Sequence, residues 1–165
     1  MSQRTILLAA ALSITTTWVC TASRLPESEI SGPCIDGVKT TAYSSGAEDN
    51  GIYGPKNALG KPLKAGRVTS AAADWSRYPV GTRFRIVETG QQYIVDDYGS
   101  ALVGTGTIDL YKSSGAQVDR WGVRRVTIEI LEWGSPQRSL QILKERGQMR
   151  HIREMVQALR DQRSV

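Results

Sequence analysis

The chain has 165 residues, of which 40% are hydrophobic and 22% charged, so its length and composition fit one folded domain rather than two. Its one histidine, His151, lies in a charged C-terminal segment, which argues against a Ser-His-Asp triad, a Cys-His pair or a His-rich zinc site. Carboxylates are therefore the candidates for any acid or base chemistry. The net charge of +5 resides mainly in that C-terminal segment, because residues 23–134 carry 13 basic and 13 acidic side chains, whereas residues 135–165 carry seven basic and three acidic ones. The folded body is therefore electrically neutral, which disfavours nucleic-acid binding by it.

The first 22 residues have the pattern of a secretory signal. Arg4 precedes an apolar stretch of 15 residues, and small residues follow at positions 20 to 22. The stretch contains a serine and four threonines and is shorter than the ~20 apolar residues of a spanning helix, so a transmembrane anchor is disfavoured. A lipid anchor on Cys20 is disfavoured because Val19 is not a small residue. The sequence therefore predicts an exported protein of the periplasm or cell envelope.

The next segment, residues 23–37, contains prolines and glycines without a hydrophobic period and is predicted to be a leader. Cys34 is the one cysteine that follows the signal, so an intramolecular disulfide framework is excluded and an incidental or intermolecular thiol is the expectation. The folded domain is predicted to span residues 38–134.

Short segments that alternate apolar and polar residues predict six strands in this domain. Their ranges are 38–43, 67–74, 82–87, 91–95, 107–111 and 124–132. Residues 44–66 form a long glycine-containing connection, which predicts a functional loop or flap. Six strands without helical crossovers indicate a small barrel or a sandwich.

One short helix is predicted between the last two strands. Ser113 or Ser114 is its candidate N-cap and Gly122 follows its last turn. The residues predicted to face inward are Ala116, Val118 and Trp121.

Residues 135–165 are predicted to be a basic helical tail. The apolar residues Ile152, Met155, Val156 and Leu159 recur at helical spacing, which predicts an amphipathic helix that packs lightly on the domain. Gly147 weakens the middle of the segment. Contact with an anionic envelope surface or with a partner protein is the functional alternative.

Four aspartates are the candidates for acid or base chemistry. Asp109 lies between two apolar residues of a strand, where burial would raise its pKa and favour the protonated form that a general acid needs. Asp96 and Asp97 point to opposite faces if the strand is regular, so at most one is expected in a cluster. Asp74 and Asp97 could equally be turn-forming residues, since aspartate often binds nearby backbone amides.

Six blocks follow one another between residues 38 and 132. They are TTAY at 40–43, TSAAAD at 69–74, YPVGT at 78–82, DYGSALVG at 97–104, IDLY at 108–111 and WGVR at 121–124. Together they resemble the three-aspartate (3D) domain, a family with the double-psi β-barrel fold of membrane-bound lytic transglycosylase A and a relation to rare lipoprotein A. The resemblance implies an all-β fold: a six-stranded double-psi β-barrel with a short helix and a C-terminal amphipathic helix.

The resemblance also implies a peptidoglycan-cleaving site, with glycan strands as the partner and with no cofactor or metal. Asp109 takes the place of the catalytic acid and base, and Asp97 and Asp74 take the places of the aspartates that shape its site. The charge of Asp97 is expected to raise the pKa of Asp109 further. The predicted substrate-binding residues are Tyr43, Trp75, Tyr98, Gly99 and Tyr111, although core packing is the commoner role of such rings.

The sequence departs from the family pattern near the second aspartate. The usual Asp-Thr-Gly-Gly is replaced by Asp97-Tyr98-Gly99-Ser100, and the stretch that leads to Asp109 is one residue longer. A barrel that binds cell-wall glycan or a partner without cleaving it therefore stays as an alternative. An aspartic protease is disfavoured because its dyad needs two Asp-x-Gly turns or a homodimer, and one such turn, Asp97-Tyr98-Gly99, directly follows a predicted strand.

Overall fold

A computed structural model describes residues 31–45 and 55–162. The strands are β1 (Cys34–Ser44), β2 (Val68–Ala72), β3 (Arg83–Ile86), β4 (Gln92–Asp97), β5 (Ile108–Lys112) and β6 (Arg124–Glu132), and the helices are α1 (Gly115–Trp121), α2 (Pro136–Lys144) and α3 (Arg150–Asp161). The predicted signal at 1–22, with Cys20, and residues 46–54 of the predicted loop lie outside the described residues. Within the described ranges, no helix is both long and apolar enough to cross a membrane.

The six strands close into a barrel in the order β1-β5-β2-β4-β3-β6. The pairs β1/β5 and β2/β4 are parallel, and the other neighbours are antiparallel. This confirms the all-β class and the six-stranded barrel, and the two parallel pairs are consistent with the double-psi arrangement. Each predicted strand overlaps an observed one.

The barrel interior is filled by alternate residues of its strands, as the period of two requires. Phe84 and Ile86 of β3 and Ile128 and Ile130 of β6 are buried, with at most 2% of their surface exposed. The Phe84 ring stacks on that of Tyr93 with centroids 5.4 Å apart. Burial of these side chains supplies most of the stabilisation that holds the strands in register.

The barrel begins earlier than the sequence predicts. β1 starts at Cys34 rather than at residue 38, and Cys34 itself is an exposed free cysteine. Before it, the backbone amides of Ser31 and Gly32 donate hydrogen bonds to the buried carboxylate of Glu129 at 2.8 and 3.0 Å. Arg85 pairs with the same carboxylate at 2.6 Å. The end of the predicted leader is therefore tied to the barrel wall, which corrects its description as a separate segment.

The short helix lies where it was predicted, between β5 and β6. Ser114 is its N-cap residue and Gly122, with φ of 59°, ends it. Trp121 points inward and its Nε1 donates to Thr40 Oγ1 at 3.2 Å. Ala116 is exposed, which corrects its predicted inward position, because a seven-residue helix presents little more than one turn to the barrel.

The tail contains two helices and is packed firmly. In α2, the Ser135 hydroxyl accepts a hydrogen bond from the amide of Arg138, so a serine cap followed by a proline starts a helix that was not predicted. Gly147 lies between α2 and α3. The predicted stripe is on α3, and its members Ile152, Met155, Val156 and Leu159 are at most 9% exposed and belong to the same hydrophobic core as the barrel. This corrects the expectation of one lightly docked helix.

The junction between β6 and α2 leaves no room for a side chain at residue 134. A Cβ on Gly134 would overlap the carbonyl oxygens of Pro79 and Val80, and both belong to rigid backbone. We expect Gly134→Ala to lower the free energy of unfolding by about 3 kcal/mol. Gly115→Ala is the matched control because no atom lies within 4 Å of its added Cβ. Denaturant titration of both variants checks this, and equal stabilities would contradict it.

Candidate active site

Four neighbouring strands place one row of residues across the barrel wall. Thr41 of β1 is opposite Asp109 of β5, Asp109 is opposite Ala72 of β2, and Ala72 is opposite Asp97 of β4. Neighbouring strands lie ~4.8 Å apart, so the two aspartates are about 10 Å apart at the backbone. Only the methyl group of Ala72 separates them within the row. The topology therefore brings together two carboxylates that are 12 positions apart in the sequence.

Asp109 is a partly buried carboxyl held by one side chain. Thr41 Oγ1 donates to its Oδ1 at 2.7 Å. Burial raises the pKa of Asp109, and the hydrogen bonds from Thr41 and from the Leu110 backbone offset part of that rise. Burial was predicted to have this effect. The charge of Asp97 is not among the causes, which corrects the expectation that repulsion between the two carboxylates raises this pKa.

Asp97 is bound on both of its carboxyl oxygens. Oδ1 accepts from the backbone amides of Ala58 and Tyr98 at 3.0 and 2.9 Å, and Oδ2 accepts from the Tyr43 hydroxyl at 3.4 Å. Burial, with a contribution from the charge of Asp96, raises the pKa of Asp97 to about 6 against these hydrogen bonds. The carboxyl of Asp97 therefore titrates near neutral pH.

The phenol of Tyr43 binds Asp97 and lies within electrostatic range of Asp109. Burial raises its pKa, and the charges of Asp97, Asp96 and Asp109 raise it further. Tyr43 is thus within electrostatic range of all three carboxylates and stays a neutral hydrogen-bond donor at physiological pH. We name Tyr43, Asp96, Asp97 and Asp109 the carboxylate cluster.

Asp96 belongs to this cluster although the alternation rule suggested that at most one of the paired aspartates would. The register of β2 and β4 shifts between Ala71 and Ala72, so Asp97 rather than Asp96 is opposite Ala72. Asp96 is buried, and its Oδ2 accepts from Asn57 Nδ2 and Ser70 Oγ at 2.9 and 3.0 Å. The two adjacent aspartates therefore anchor the described part of the 44–66 loop, through Asn57 and Ala58.

Asp74 faces a different part of the surface. Its Oδ1 accepts from the amide and hydroxyl of Ser76 at 2.9 and 2.6 Å, and its Oδ2 accepts from the amide of Gly104 at 2.8 Å. It lines a pocket of about 490 Å³ together with Arg77 and the exposed Trp133. The structure thus brings Asp97 and Asp109 together and directs the carboxyl of Asp74 to the turn that it stabilises.

The predicted substrate-binding rings have three different environments. Trp75 has no exposed surface and donates from Nε1 to the carbonyl of Asp97 at 2.8 Å, so it is a packing residue and offers nothing to a ligand. Tyr98 packs edge-on against Trp75 at 5.0 Å, and its hydroxyl accepts from Arg146 at 3.2 Å. Tyr111 packs against Tyr43 with centroids 5.6 Å apart.

Gly99 lies at the start of the turn after Asp97. Its carbonyl accepts from the amide of Leu102 at 3.0 Å, and it is partly exposed. Its role in substrate binding stays a prediction.

A comparison with protein families gives one match. Residues 69–132 match the family model of the 3D domain. The barrel contains a 3D domain. The matched stretch of the 3D domain runs from β2 to the end of β6 and includes Asp74, Asp97 and Asp109, whereas Tyr43 of β1 lies before it. The 3D domain family is associated with barrels like those of lytic transglycosylases. A comparison with curated proteins finds no match.

The described residues of the 3D domain and its flanks contain no group of three or more His, Cys, Asp or Glu side chains with the geometry of a metal site. The carboxyl oxygens of Asp97 and Asp109 are instead engaged by backbone amides and hydroxyl groups. Hydrogen-bonded carboxyls with raised pKa values are suited to proton transfer.

Removal of the Tyr43 hydroxyl tests the link within the cluster. Tyr43→Phe deletes a donor to the charged form of Asp97, so the pKa of Asp97 should rise above about 6. Carboxyl carbon NMR across a pH titration measures this directly. Tyr111→Phe is the control, because the Tyr111 hydroxyl is paired with Ser45 Oγ at 2.9 Å. A Tyr43→Phe titration curve that matches those of the wild type and of the control would contradict the assignment.

Proposed function

We propose that this protein is an exported lytic transglycosylase that cleaves the bond between N-acetylmuramic acid and N-acetylglucosamine in peptidoglycan. The observation that carries the proposal is Asp109, a partly buried carboxyl with a raised pKa, on the row that also holds Asp97 in a 3D domain. Burial raises the pKa of Asp109 and so shifts this carboxyl toward the protonated form that a general acid requires.

One carboxyl can carry the whole reaction. Protonated Asp109 donates its proton to the glycosidic oxygen as the bond to the muramic C1 breaks. The resulting carboxylate then accepts the proton of the muramic C6 hydroxyl, whose oxygen bonds to C1 and closes an anhydro ring. The acid is thereby regenerated, and no water is consumed. The nucleophile is part of the substrate, so proximity replaces the second carboxylate that ordinary glycosidases use.

Asp97 and Tyr43 have a supporting role in this scheme. Asp97 ionises with a pKa of about 6, so above that pH it supplies a negative charge close to the row. Such a charge favours the positive character that develops at the muramic C1 when the bond breaks. The Tyr43 phenol, neutral in this pH range, holds the Asp97 carboxylate in place without competing for the proton.

A second function is favoured by one feature of the site. The family's Asp-Thr-Gly-Gly is replaced here, and the substituted Tyr98 is held by Trp75 and by Arg146 from the loop after α2. This contact closes one side of the turn that follows Asp97. It supports a barrel that retains glycan-strand binding and has lost cleavage.

Incubation of the protein, without residues 1–22, with purified peptidoglycan distinguishes these functions. Soluble muropeptides are separated by chromatography, and sedimentation with intact cell-wall sacculi measures binding in parallel. Release of muropeptides by the wild type supports the transglycosylase. Sedimentation with sacculi without any release supports the binding barrel, and the absence of both would overturn the proposed substrate.

A further inference from the structure

A cationic pocket opens beside α1, on the side of the barrel where β5 ends. Its volume is about 370 Å³. The side chains that define it are Lys112, Arg120, Arg124, Trp121, Tyr93 and Tyr111. Three are cations and three are aromatic, and no carboxylate lines the pocket.

The indole of Trp121 lies between two of these cations. Lys112 Nζ is 4.4 Å from the ring centroid, and the Arg124 guanidinium carbon is 4.6 Å from it. Lys112 Nζ also donates to the Tyr93 hydroxyl at 2.9 Å. Burial, and then the nearby charge of Arg124, lowers the pKa of Lys112. The hydrogen bond to Tyr93 and the contact with Trp121 fix the ammonium group of Lys112 at the wall of the pocket.

The cations of the pocket have no carboxylate partner in the described part of the chain. The four ion pairs found there involve Lys64, Arg83, Arg85 and Arg150. Positive charges that converge without a counter-charge repel one another, and an oxyanion in the pocket would relieve that repulsion. An ammonium group has three N–H donors, and Lys112 uses one of them on the Tyr93 hydroxyl. The exposed guanidinium of Arg120 offers a planar pair of N–H donors to a carboxylate.

The pocket is next to the carboxylate cluster. Tyr111 forms part of the pocket wall and packs against Tyr43, whose hydroxyl binds Asp97. Along β5, Tyr111 follows Asp109 by two residues and projects from the same face of the strand about 7 Å away, whereas Lys112 projects from the opposite face at the end of the strand. A polymer that places a glycosidic bond at Asp109 would therefore bring a substituent of its muramic residue within reach of the pocket.

We infer that the cationic pocket binds a carboxylate of the peptide branch on peptidoglycan, beside the bond that is cleaved. This inference rests on the proposed function, because glycan strands of this polymer carry their carboxylates on the peptide that is attached to muramic acid. The rings of Tyr93 and Trp121 hold the Lys112 ammonium in place, and the cations suit the acid groups of such a branch. The enzyme then selects strands that still bear peptides.

Binding of two soluble fragments tests the inference separately from catalysis. One is the disaccharide with its peptide, and the other is the same disaccharide without the peptide and with its lactyl carboxyl capped as a methylamide, so that it carries no carboxylate. Isothermal titration with the Asp109→Asn protein keeps either fragment intact. The expected result is an affinity about tenfold higher for the peptide-bearing fragment, a preference that declines as salt is added.

Variants of the pocket identify its contribution. In the same background, Lys112→Met keeps the aliphatic stem over Trp121, and Arg120→Gln changes an exposed side chain; both should abolish the preference for the peptide. Arg138→Gln, at an exposed position of α2, is the control with the same loss of charge and should preserve it. Equal affinities for the two fragments, or equal effects of all three substitutions, would overturn the inference.

Two further measurements identify which part of the proposal fails if the expected result is not obtained. Tighter binding of poly(glycerol phosphate) than of the peptide-bearing fragment, lost in Lys112→Met, would overturn the carboxylate assignment in favour of a phosphate. Muropeptide release by the wild type is measured alongside. Release without peptide preference rejects the pocket alone, whereas a Lys112-dependent peptide preference without release rejects the transglycosylase and supports the pocket.

Discussion

Asp109→Asn should lower the rate of muropeptide release by about 100- to 10,000-fold, the range associated with loss of a general acid. An amide of nearly the same shape keeps an oxygen that can accept from Thr41 Oγ1, so the fold should be preserved. It has no proton to give to the glycosidic oxygen and cannot accept one from the C6 hydroxyl. The measurement is the initial rate of release from purified peptidoglycan.

The control for this variant is Asp161→Asn, which makes the same chemical change at an exposed position of α3. Its rate should equal that of the wild type. Circular dichroism and the melting temperature of both variants establish that they are folded. An Asp109→Asn protein that retains more than about a tenth of the wild-type rate would move the acid to another residue.

Asp97→Asn should make the protein more stable at alkaline pH while it slows the reaction. The pKa of Asp97 is about 6 in the folded protein and 3.8 in the reference state, so the folded state holds this proton more tightly than the unfolded chain does. The stability of the wild type therefore falls as the pH rises from about 4 to about 6, by about 3 kcal/mol from this group. The amide does not ionise, so the variant escapes this loss.

Thermal unfolding at several pH values measures the effect. At pH 8 the variant should melt about 6 to 12 °C above the wild type, and the gain should disappear below pH 4. Asp119→Asn, at an exposed position of α1, is the control and should show no pH-dependent gain. A gain that is the same at every pH would indicate an effect of packing rather than of the buried charge.

The strands of the barrel could be predicted from the sequence because each has one buried face. The run Arg83-Phe84-Arg85-Ile86 carries the period of two in four residues, and a one-residue error would place its apolar side chains in water. The order and direction of the strands could not be obtained in that way. They depend on pairings such as Thr41 with Asp109, which join residues 68 positions apart.

The candidate site could likewise be predicted only in part from the sequence. The raised pKa of Asp109 could be predicted from its two apolar neighbours on β5, because that effect is local. The inclusion of Asp96 could not, because it depends on an irregular register between β2 and β4. The direction of the Asp74 carboxyl depends on the amide of Gly104, which the chain brings to it from the turn before β5.

The C-terminal segment contained a signal that a helical period alone does not capture. Ser135 and Pro136 are a favourable N-cap and first residue, and Leu140 and Leu143 follow at helical spacing. The extent of burial of α3 was not predictable from its stripe. A stripe indicates which face packs, and only the position of the barrel determines how much of it is covered.

The central claim is that Asp109 moves a proton within the substrate and that no water enters the product. Digestion of peptidoglycan in water enriched in heavy oxygen, followed by mass spectrometry of the released muropeptides, tests it most directly. We expect anhydro-muramic ends that are one water lighter than hydrolysis products and carry no heavy oxygen. Reducing muramic ends that carry the label would show that water is the nucleophile and would contradict the account.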